Sequence, residues 1–155
     1  MVKIIDLFDG EHRFLSNFYP CRVVYEGQEF LSSEAAFQAA KIKGKNPEET
    51  RKLRNIFTTV NPSKAKRLGR SCVLRPDWEE VKDDVMYEIV KYKFENHEHL
   101  KKLLLDTKSA ILIEGTTWHD NYWGNCTCDR CKNIEGKNQL GKILMRVRSE
   151  LSNYE

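Results

Sequence analysis

The chain is poor in the residues that interrupt a fold, with four prolines and eight glycines among 155 residues. No proline- or serine-rich tract and no internal repeat divides it, so we expect a single domain over residues 1–155. Long uncharged apolar runs are also missing, so we expect neither a signal peptide nor a membrane span. The net charge of +3, from 26 basic and 23 acidic side chains, is too small to indicate nucleic-acid binding by itself.

Cysteine is scarce and unevenly placed. The count of five is odd, and Cys126, Cys128 and Cys131 lie too close together for an ordinary disulfide framework, while Cys21 and Cys72 are remote in sequence. This pattern is typical of free or metal-bound thiols in a reducing compartment. We therefore expect a cytoplasmic protein.

The hydrophobic pattern predicts a mainly α-helical α+β domain with a small antiparallel β element. Residues 21–25 and 28–31 fit two strands joined at Glu26-Gly27, where the glycine supplies a positive φ. The apolar, β-branched run at residues 111–113 predicts another short strand.

The predicted helices begin at capping residues. Ser32 or Ser33 caps a helix that runs to about Lys43 and ends at Gly44. The pairs at residues 46–47 and 61–62 each place a capping asparagine before a proline at the first helical position.

Later helices are predicted from apolar spacing. Gly69 would end the helix that starts after residue 61, and Asp77 would begin the longest helix, with Glu80 completing a capping box. Further helices are expected at residues 97–105 and 138–151.

Three features admit both a structural and a functional interpretation. Glu34 lies in the first turn of a helix of small and apolar residues, where the helix dipole explains a carboxylate as well as catalysis does. Trp78 fits a core anchor or a platform for a flat heterocycle. The loop at residues 118–124 gathers two tryptophans, a tyrosine, a histidine and an aspartate, as a binding loop would.

Two segments are candidates for binding phosphate. Residues 136–141 open the last helix with glycine, Lys137 and the free backbone N–H groups of a helix start, and a simple N-cap by Asn138 is the competing interpretation. Basic residues crowd residues 64–75, which is typical of a solvated helix face, or of arginines that grip phosphate oxygens.

The C-x-C-x-x-C spacing of Cys126, Cys128 and Cys131 brings thiolates close enough to share one Zn²⁺. His119 is the nearest candidate for a fourth ligand, and Cys72, His12 and Cys21 are the alternatives. Unligated thiols in a surface loop are the competing interpretation. If metal binds, we expect a structural ion and no cofactor that is required for catalysis.

Several segments, in this order, resemble the NADAR (YbiA-like) family. They are residues 14–20, 33–41, 65–70, 74–78, 93–94, 120–124 and 136–145. They span nearly the whole chain. In place of the glycine-rich stretch that the family usually has after Trp123-Gly124, this chain has residues 125–135 with the cysteines.

The resemblance implies an N-glycosidase with the YbiA-like fold. Family members cleave phosphorylated ribosylamino-pyrimidine intermediates of riboflavin synthesis, or remove ADP-ribose from guanine bases. The family's catalytic residues map onto Glu34, Trp78, Asp120 and Lys41. Expected substrate contacts are Asn17, Phe18, Arg70, Arg75, Trp123, Gly124, Lys137 and Asn138.

Cleavage of a ribose C–N bond builds positive charge at the anomeric carbon, which a carboxylate stabilises while an acid assists the leaving nitrogen. We expect Glu34 to be the acid or charge stabiliser and Asp120 the base for water, in either order, across one pocket. Lys41, two helical turns beyond Glu34, would instead attack the sugar as a Schiff-base nucleophile. Trp78 would stack on the base, and Arg70, Arg75 or Lys137 would hold the phosphate.

Two interpretations from another class compete with the enzyme. One is a zinc-clipped nucleic-acid-binding module that uses the basic segment and the aromatic loop, and the other is a nucleotide-sugar-binding domain without catalysis. Strongly salt-dependent oligonucleotide binding without turnover would favour the module. The sequence leaves the choice of N-glycoside and the oligomeric state open.

Overall fold

The computed structural model describes residues 2–153, and helices make up about half of the chain. Its α-helices are α1 Ser33–Ala40, α2 Pro47–Arg54, α3 Pro62–Arg70, α4 Trp78–Glu95, α5 Glu98–Asp106 and α6 Gln139–Ser152. Its strands are β1 Ile4–Ile5, β2 Pro20–Tyr25, β3 Gln28–Ser32, β4 Ile111–Leu112, β5 Gly115–Thr116 and β6 Asn125–Cys126, and 3₁₀ helices span Gly10–Leu15 and Asn55–Thr59. The predicted α+β class is confirmed.

The chain forms two compact units. The central unit is Asn17–Lys93, and the terminal unit combines the described residues up to Ser16 with those from Phe94 onward. The boundary falls inside α4 in sequence. The single domain over residues 1–155 stays a prediction, and Met1, Tyr154 and Glu155 lie outside the described residues.

The central unit contains the predicted antiparallel hairpin. Strands β2 and β3 pair with Tyr25 opposite Gln28, and the turn residues Glu26 and Gly27 have φ of 44° and 81°. Positive φ at both central positions is the type I′ geometry, whose twist matches that of the strands it joins. Val23 and Phe30 are buried on the inner face.

Helix α1 is buried along its whole length. The Oγ of Ser32 accepts the N–H of Ala35 at 3.1 Å, which settles the predicted choice of cap in favour of Ser32. The helix ends at Ala40 and not near Lys43 as predicted. The carbonyls of Lys41 and Ile42 leave the helical ladder because they accept hydrogen bonds from the Arg75 N–H and from Nε of Arg54.

Both predicted Asn-Pro starts are confirmed. The Oδ1 of Asn46 accepts the N–H of Glu49 at 2.9 Å, and the Oδ1 of Asn61 accepts the N–H of Lys64 at 2.8 Å. The prediction that Gly69 ends α3 is wrong, because the helix continues to Arg70. Gly69 is instead needed where α3 approaches α1, as described below.

The longest helix, α4, starts one residue after the predicted Asp77, whose carbonyl accepts the N–H groups of Glu80 and Val81. Its predicted apolar stripe is buried at Trp78, Val85, Met86, Ile89 and Val90, and Val81 is half-buried. Within residues 2–153, no helix combines the length and apolar content that crossing a membrane would require.

The terminal unit contains two small parallel strand pairs that the sequence did not predict. Strand β1 pairs with β4, and β5 pairs with β6. The predicted strand at residues 111–113 is confirmed with its pairing extended by a hydrogen bond from the Ile113 N–H to the Ile5 carbonyl. The apolar face of α6 is buried as its spacing predicted.

Asn138 does not act as the side-chain N-cap predicted for α6. It has a left-handed φ of 52° and makes no capping bond. Its Oδ1 accepts the Glu114 N–H at 2.9 Å, and its Nδ2 donates to the Leu112 carbonyl at 2.8 Å. Asn138 therefore ties the start of α6 to the chain that follows β4, a role that only the folded partners reveal.

We expect Asn138→Ala to lower the free energy of unfolding by about 2–3 kcal/mol, because two backbone groups lose partners and alanine is strained at positive φ. Asn138→Gly should cost less, since glycine accepts that φ. Urea denaturation measures both, with exposed Asn133→Ala as the control. A loss for Asn138→Ala no larger than that of the control would contradict this role.

Candidate active site

Glu34 is a buried carboxylate in the first turn of α1. Its side chain is 8% exposed, and its Oε1 accepts a hydrogen bond from Nε2 of Gln38, one turn along, at 2.8 Å. The Glu34 N–H donates to the Asn17 carbonyl at 3.0 Å, so the start of the helix is fixed to the preceding loop. The carboxylate is thus held in one orientation by its own helix.

Two further polar atoms of α1 are buried. Among the described residues, Oγ of Ser33 and Oε1 of Gln38 lack a hydrogen-bond partner. Buried polar atoms are almost always paired, so an unpaired one calls for an explanation such as a bound water or ligand. Ser33 lies one residue before Glu34 and Gln38 four residues after it, so both atoms belong to the same helix as the carboxylate.

Gln38 depends on a glycine in the neighbouring helix. A Cβ built on Gly69 would lie 1.8 Å from Oε1 of Gln38 and 2.6 Å from its Cδ. Any side chain at this position would therefore displace the amide that holds Glu34. Sequence reasoning missed Gln38, although its position four residues after Glu34 in a helix of small residues was an available signal.

Lys41 follows the last turn of α1 and is half-buried, with Nζ 5.8 Å from the ring centroid of Phe37. Desolvation by burial lowers the pKa of Lys41 below its ordinary value of 10.5, and the charge of Glu34 opposes this shift. The charge of Glu34 therefore stabilises the ammonium form of Lys41.

Trp78 is 6% exposed and packs against Phe37, with ring centroids 5.2 Å apart. This contact agrees with the first of the two roles predicted for Trp78, an anchor in the core. Nζ of Lys41 lies over the same Phe37 ring, so Phe37 lies between Trp78 and Lys41 in this chain of contacts.

The three predicted phosphate contacts have different surroundings. Arg75 makes a two-point ion pair with Asp77, from Nε to Oδ1 at 2.7 Å and from Nη2 to Oδ2 at 3.0 Å. This hydrogen-bonded pair raises the pKa of Arg75 and lowers that of Asp77. Arg70 is exposed at the end of α3, and Lys137 is exposed with Nζ 5.4 Å from the Tyr122 ring.

Asn17 and Phe18, the predicted substrate contacts before β2, also belong to the central unit. Asn17 is half-buried, and its Nδ2 donates to the sulfur of Met86 at 3.4 Å. Phe18 is 39% exposed and lies under Nζ of Lys66, which is 5.8 Å from its ring. An accessible ring beside a cation is a chemically suitable surface for an aromatic base.

Asp120 lies in the terminal unit, in the loop between β5 and β6. Its Oδ1 accepts the N–H groups of Tyr122 at 3.1 Å and Trp123 at 2.9 Å. Within residues 2–153, its Oδ2 takes part in no hydrogen bond. One carboxylate oxygen is therefore fixed by the backbone, while the other is available to bind water or a substrate.

The backbone N–H groups that were expected to be free to bind phosphate at residues 136–141 are occupied. The N–H groups of Lys137, Asn138, Gln139 and Leu140 donate to the carbonyls of Asn121, Gly124, Tyr122 and Trp123. These carbonyls cap the start of α6 in place of a side chain. Gly124 permits the packing, since a Cβ there would lie 2.2 Å from the Glu114 carbonyl.

The cysteine loop brings four potential metal ligands together. His119, Cys126, Cys128 and Cys131 place one ligand atom each within 4.8 Å of the others, and Nδ1 of His119 lies 3.3 Å from Sγ of Cys128. His119 is thus the fourth member that proximity suggested. Among the described residues, the remote alternatives Cys72, His12 and Cys21 do not belong to this group. Sγ of Cys72 instead donates to the Gly69 carbonyl.

The thiols of this cluster differ in acidity. Burial opposes ionisation of Cys126, but hydrogen bonds from Cys128 and from the His119 N–H outweigh it and lower the pKa of Cys126 from 9.0 to about 6. Burial, with hydrogen bonds to Cys126 and Cys128, raises the pKa of Cys131. Hydrogen bonding therefore makes the Cys126 thiol more acidic than that of Cys131, whose pKa is raised.

A second group that sequence reasoning missed is Lys93. Its side chain is buried, desolvation lowers its pKa to about 8, and the charge of Cys21 opposes that shift. Its Nζ lies 5.5 Å from the Tyr19 ring centroid. The sequence does not predict that Lys93 is buried, because nothing in its local pattern distinguishes it from the exposed polar residues of the same helix.

We expect the pKa of Lys41 to fall further in Glu34→Gln, because the substitution removes the negative charge that stabilises the ammonium form. NMR titration of isotope-labelled lysine side chains, with the Lys41 signal assigned from Lys41→Arg, measures the shift. Glu48→Gln, at an exposed helix position, is the matched control and should leave the Lys41 pKa unchanged. An unchanged or raised pKa in Glu34→Gln would contradict the coupling.

Comparison with known proteins identifies relatives of the whole arrangement. The chain is 39% identical over 140 residues to the N-glycosidase YbiA of Escherichia coli, covering 88% of this chain and 80% of that protein. It is 34% identical over 148 residues to a riboflavin biosynthesis protein of Vibrio vulnificus and 37% identical over 125 residues to the riboflavin biosynthesis protein PYRR of Zea mays. These two matches cover 94% and 76% of this chain, but only 37% and 19% of the two longer relatives.

The fold has the same relative. The NMR structure of the E. coli protein YbiA superimposes with a TM-score of 0.79 at 36% identity, over 99% of this chain and 88% of that one. The model of the NADAR domain matches residues 7–152. These findings confirm the resemblance predicted from the sequence: the chain belongs to the NADAR family.

Proposed function

We propose that this chain is an N-glycosidase that hydrolyses the C–N bond between a ribose and a nitrogen base. The observation that carries the proposal is the buried Glu34 carboxylate on α1, accompanied by the unpaired polar atoms of Ser33 and Gln38. A helix that buries three polar groups in this way is suited to bind a polar substrate. The names of the N-glycosidase and riboflavin biosynthesis relatives support the same chemistry.

Glu34 acts at the anomeric carbon. As the C–N bond breaks, the sugar acquires oxocarbenium character, and a carboxylate in a site of low polarity stabilises that charge more strongly than it would in water. Gln38 fixes the orientation of the carboxylate before the substrate arrives. In the alternative assignment of roles, Glu34 protonates the leaving nitrogen.

Asp120 supplies the second carboxylate. Its Oδ1 is fixed by two backbone N–H groups, and its Oδ2 would accept a proton from the attacking water. Water oxygen then bonds to the anomeric carbon, the C–N bonding electrons leave with the base, and a proton from the acid neutralises that nitrogen. Asp120 and Glu34 exchange these two roles if Glu34 is the base.

Lys41 is the candidate nucleophile of an alternative route. Because burial lowers its pKa, a larger neutral fraction than usual is also present, so the amine is the candidate for direct attack on the sugar. In that route the neutral Lys41 nitrogen bonds to the anomeric carbon as the C–N bond to the base breaks, and the proton that the lysine nitrogen loses neutralises the leaving base. Opening of the ribose ring then gives a Schiff base, which water hydrolyses to release the sugar.

The remaining substrate contacts follow from the surroundings of each residue. Arg70 is the preferred phosphate ligand because it is exposed, whereas Arg75 is engaged with Asp77 and Lys137 covers Tyr122. We assign Phe18 to the base and Trp78, which is buried against Phe37, to support of the wall beside Lys41. The Asn17 carbonyl holds the N–H of Glu34, and Trp123, Gly124 and Asn138 belong to the segments that hold Asp120 and Lys137.

For the substrate we favour a phosphorylated ribosylamino-pyrimidine of the riboflavin pathway, with ADP-ribosylated guanine in nucleic acid as the second class. The names of the riboflavin biosynthesis relatives support the first. We propose a cytoplasmic enzyme, since all five cysteines are free thiols. Bond cleavage uses side chains alone, and a metal in the cysteine loop would be structural.

The test offers the purified full chain a ribosylamino-pyrimidine phosphate and, in parallel, ADP-ribosylated guanine in DNA, with product analysis by mass spectrometry. We expect release of the base and ribose phosphate from the first substrate. Glu34→Gln should reduce turnover by about 10²-fold or more, because it removes the carboxylate's charge and acid–base capacity. Glu48→Gln, at an exposed site, should retain turnover.

Three other outcomes separate the alternatives. Equal turnover by Glu34→Gln and wild type would contradict the assignment of Glu34. A borohydride-trapped sugar adduct on Lys41, with adduct formation rising as pH rises through the lysine pKa, would assign the nucleophile to Lys41 and not to water. Salt-dependent oligonucleotide binding with no turnover of either substrate would replace the enzyme with the nucleic-acid-binding module.

A further inference from the structure

The loop at residues 117–131 contains a second centre with chemistry of its own. Sγ atoms of Cys126, Cys128 and Cys131 and a ring nitrogen of His119 all lie within 4.8 Å of one another. Nδ1 of His119 lies 3.3 Å from Sγ of Cys128 and 3.5 Å from Sγ of Cys131. Thiolate and imidazole together are the donor set that Zn²⁺ prefers.

These separations fit a tetrahedral ion. Zn–S bonds of about 2.3 Å and Zn–N bonds of about 2.0 Å place neighbouring ligand atoms roughly 3.5 Å apart for sulfur and nitrogen, and roughly 3.8 Å apart for two sulfurs. The contacts between His119 and these two cysteines lie close to the first of these values. Ordinary side-chain movement would thus bring all four atoms onto one ion.

Strand pairing and backbone hydrogen bonds fix the positions of Cys126 and His119 in the cluster. Strand β6 places Cys126 beside Thr116 of β5, and the Thr127 N–H donates to the Thr116 carbonyl. His119 has a left-handed φ of 68°, which non-glycine residues adopt only where their surroundings impose it. Its N–H donates to Sγ of Cys126 at 3.3 Å, the type of second contact that orients a metal-bound thiolate.

The same loop fixes the carboxylate of Asp120. His119 immediately precedes Asp120, and the following Asn121 accepts the Cys126 N–H with its Oδ1 at 2.9 Å. Both neighbours of Asp120 are therefore attached to the cysteine cluster. The Asp120 carbonyl also accepts the hydroxyl of Thr116, a residue of the strand that pairs with β6.

We propose that His119, Cys126, Cys128 and Cys131 bind one Zn²⁺ and that this ion positions Asp120. Four protein ligands complete a tetrahedral coordination shell, so no open position remains for water and the ion is structural. It acts through the loop, since it holds the residues on either side of Asp120. The positioning half of this inference rests on the catalytic role proposed for Asp120, whereas the metal site does not.

The metal site is tested with full-length protein purified without added zinc. Elemental analysis and native mass spectrometry should find about one Zn²⁺ per chain, and replacement by Co²⁺ should give the absorption bands of tetrahedral thiolate coordination. Cys128→Ser should lose most of the metal, and Cys72→Ser, outside the cluster, should retain it. Folded wild-type protein that binds neither ion would overturn the site.

The positioning role is tested by removing zinc from wild-type protein with a chelator. NMR should show shifts in the amides of Tyr122 and Trp123, which donate to Asp120, and these should reverse when zinc is restored. With an active substrate, kcat should fall tenfold or more with little change in KM. Amides that do not move on loss of zinc would overturn this role, whether or not turnover has been found.

Discussion

The arrangement of the central unit depends on how α1 buries the carboxylate of Glu34. An ionised carboxylate out of water is costly unless polar neighbours compensate for the lost hydration. Gln38 provides a hydrogen bond from the next turn, and Gly69 of α3 leaves the space that Gln38 occupies. Lys41 adds a positive charge at the end of the same helix, so one buried segment combines an acid, its orienting amide and a cation of lowered pKa.

The terminal unit uses its backbone for the same purpose. The carbonyls of residues 121–124 cap α6, while the N–H groups of Tyr122 and Trp123 hold Asp120. The same short loop therefore caps the start of α6 and fixes the proposed catalytic carboxylate of Asp120. Its conformation is restrained from the other side by two hydrogen bonds with Cys126, from the His119 N–H to Sγ and from the Cys126 N–H to Oδ1 of Asn121.

Local signals in the sequence predicted most of the fold. The caps at Asn46 and Asn61 could be predicted because donor and acceptor lie three residues apart. Asn138 could not, since its partners lie 24 and 26 residues away and its left-handed φ is imposed by them. For the candidate site, family resemblance selected Glu34 and Asp120, but the supporting contact between Gln38 and Gly69 joins two helices and has no local pattern.

The central claim is that the Glu34 carboxylate stabilises positive charge on the sugar. The most direct measurement is calorimetric binding of a protonated iminosugar that mimics the ribosyl cation, compared with neutral ribose phosphate, in wild type and Glu34→Gln. We predict that the variant binds the cation at least about tenfold more weakly while its affinity for ribose phosphate changes little. Equal loss for both ligands, or no loss for the cation, would contradict it.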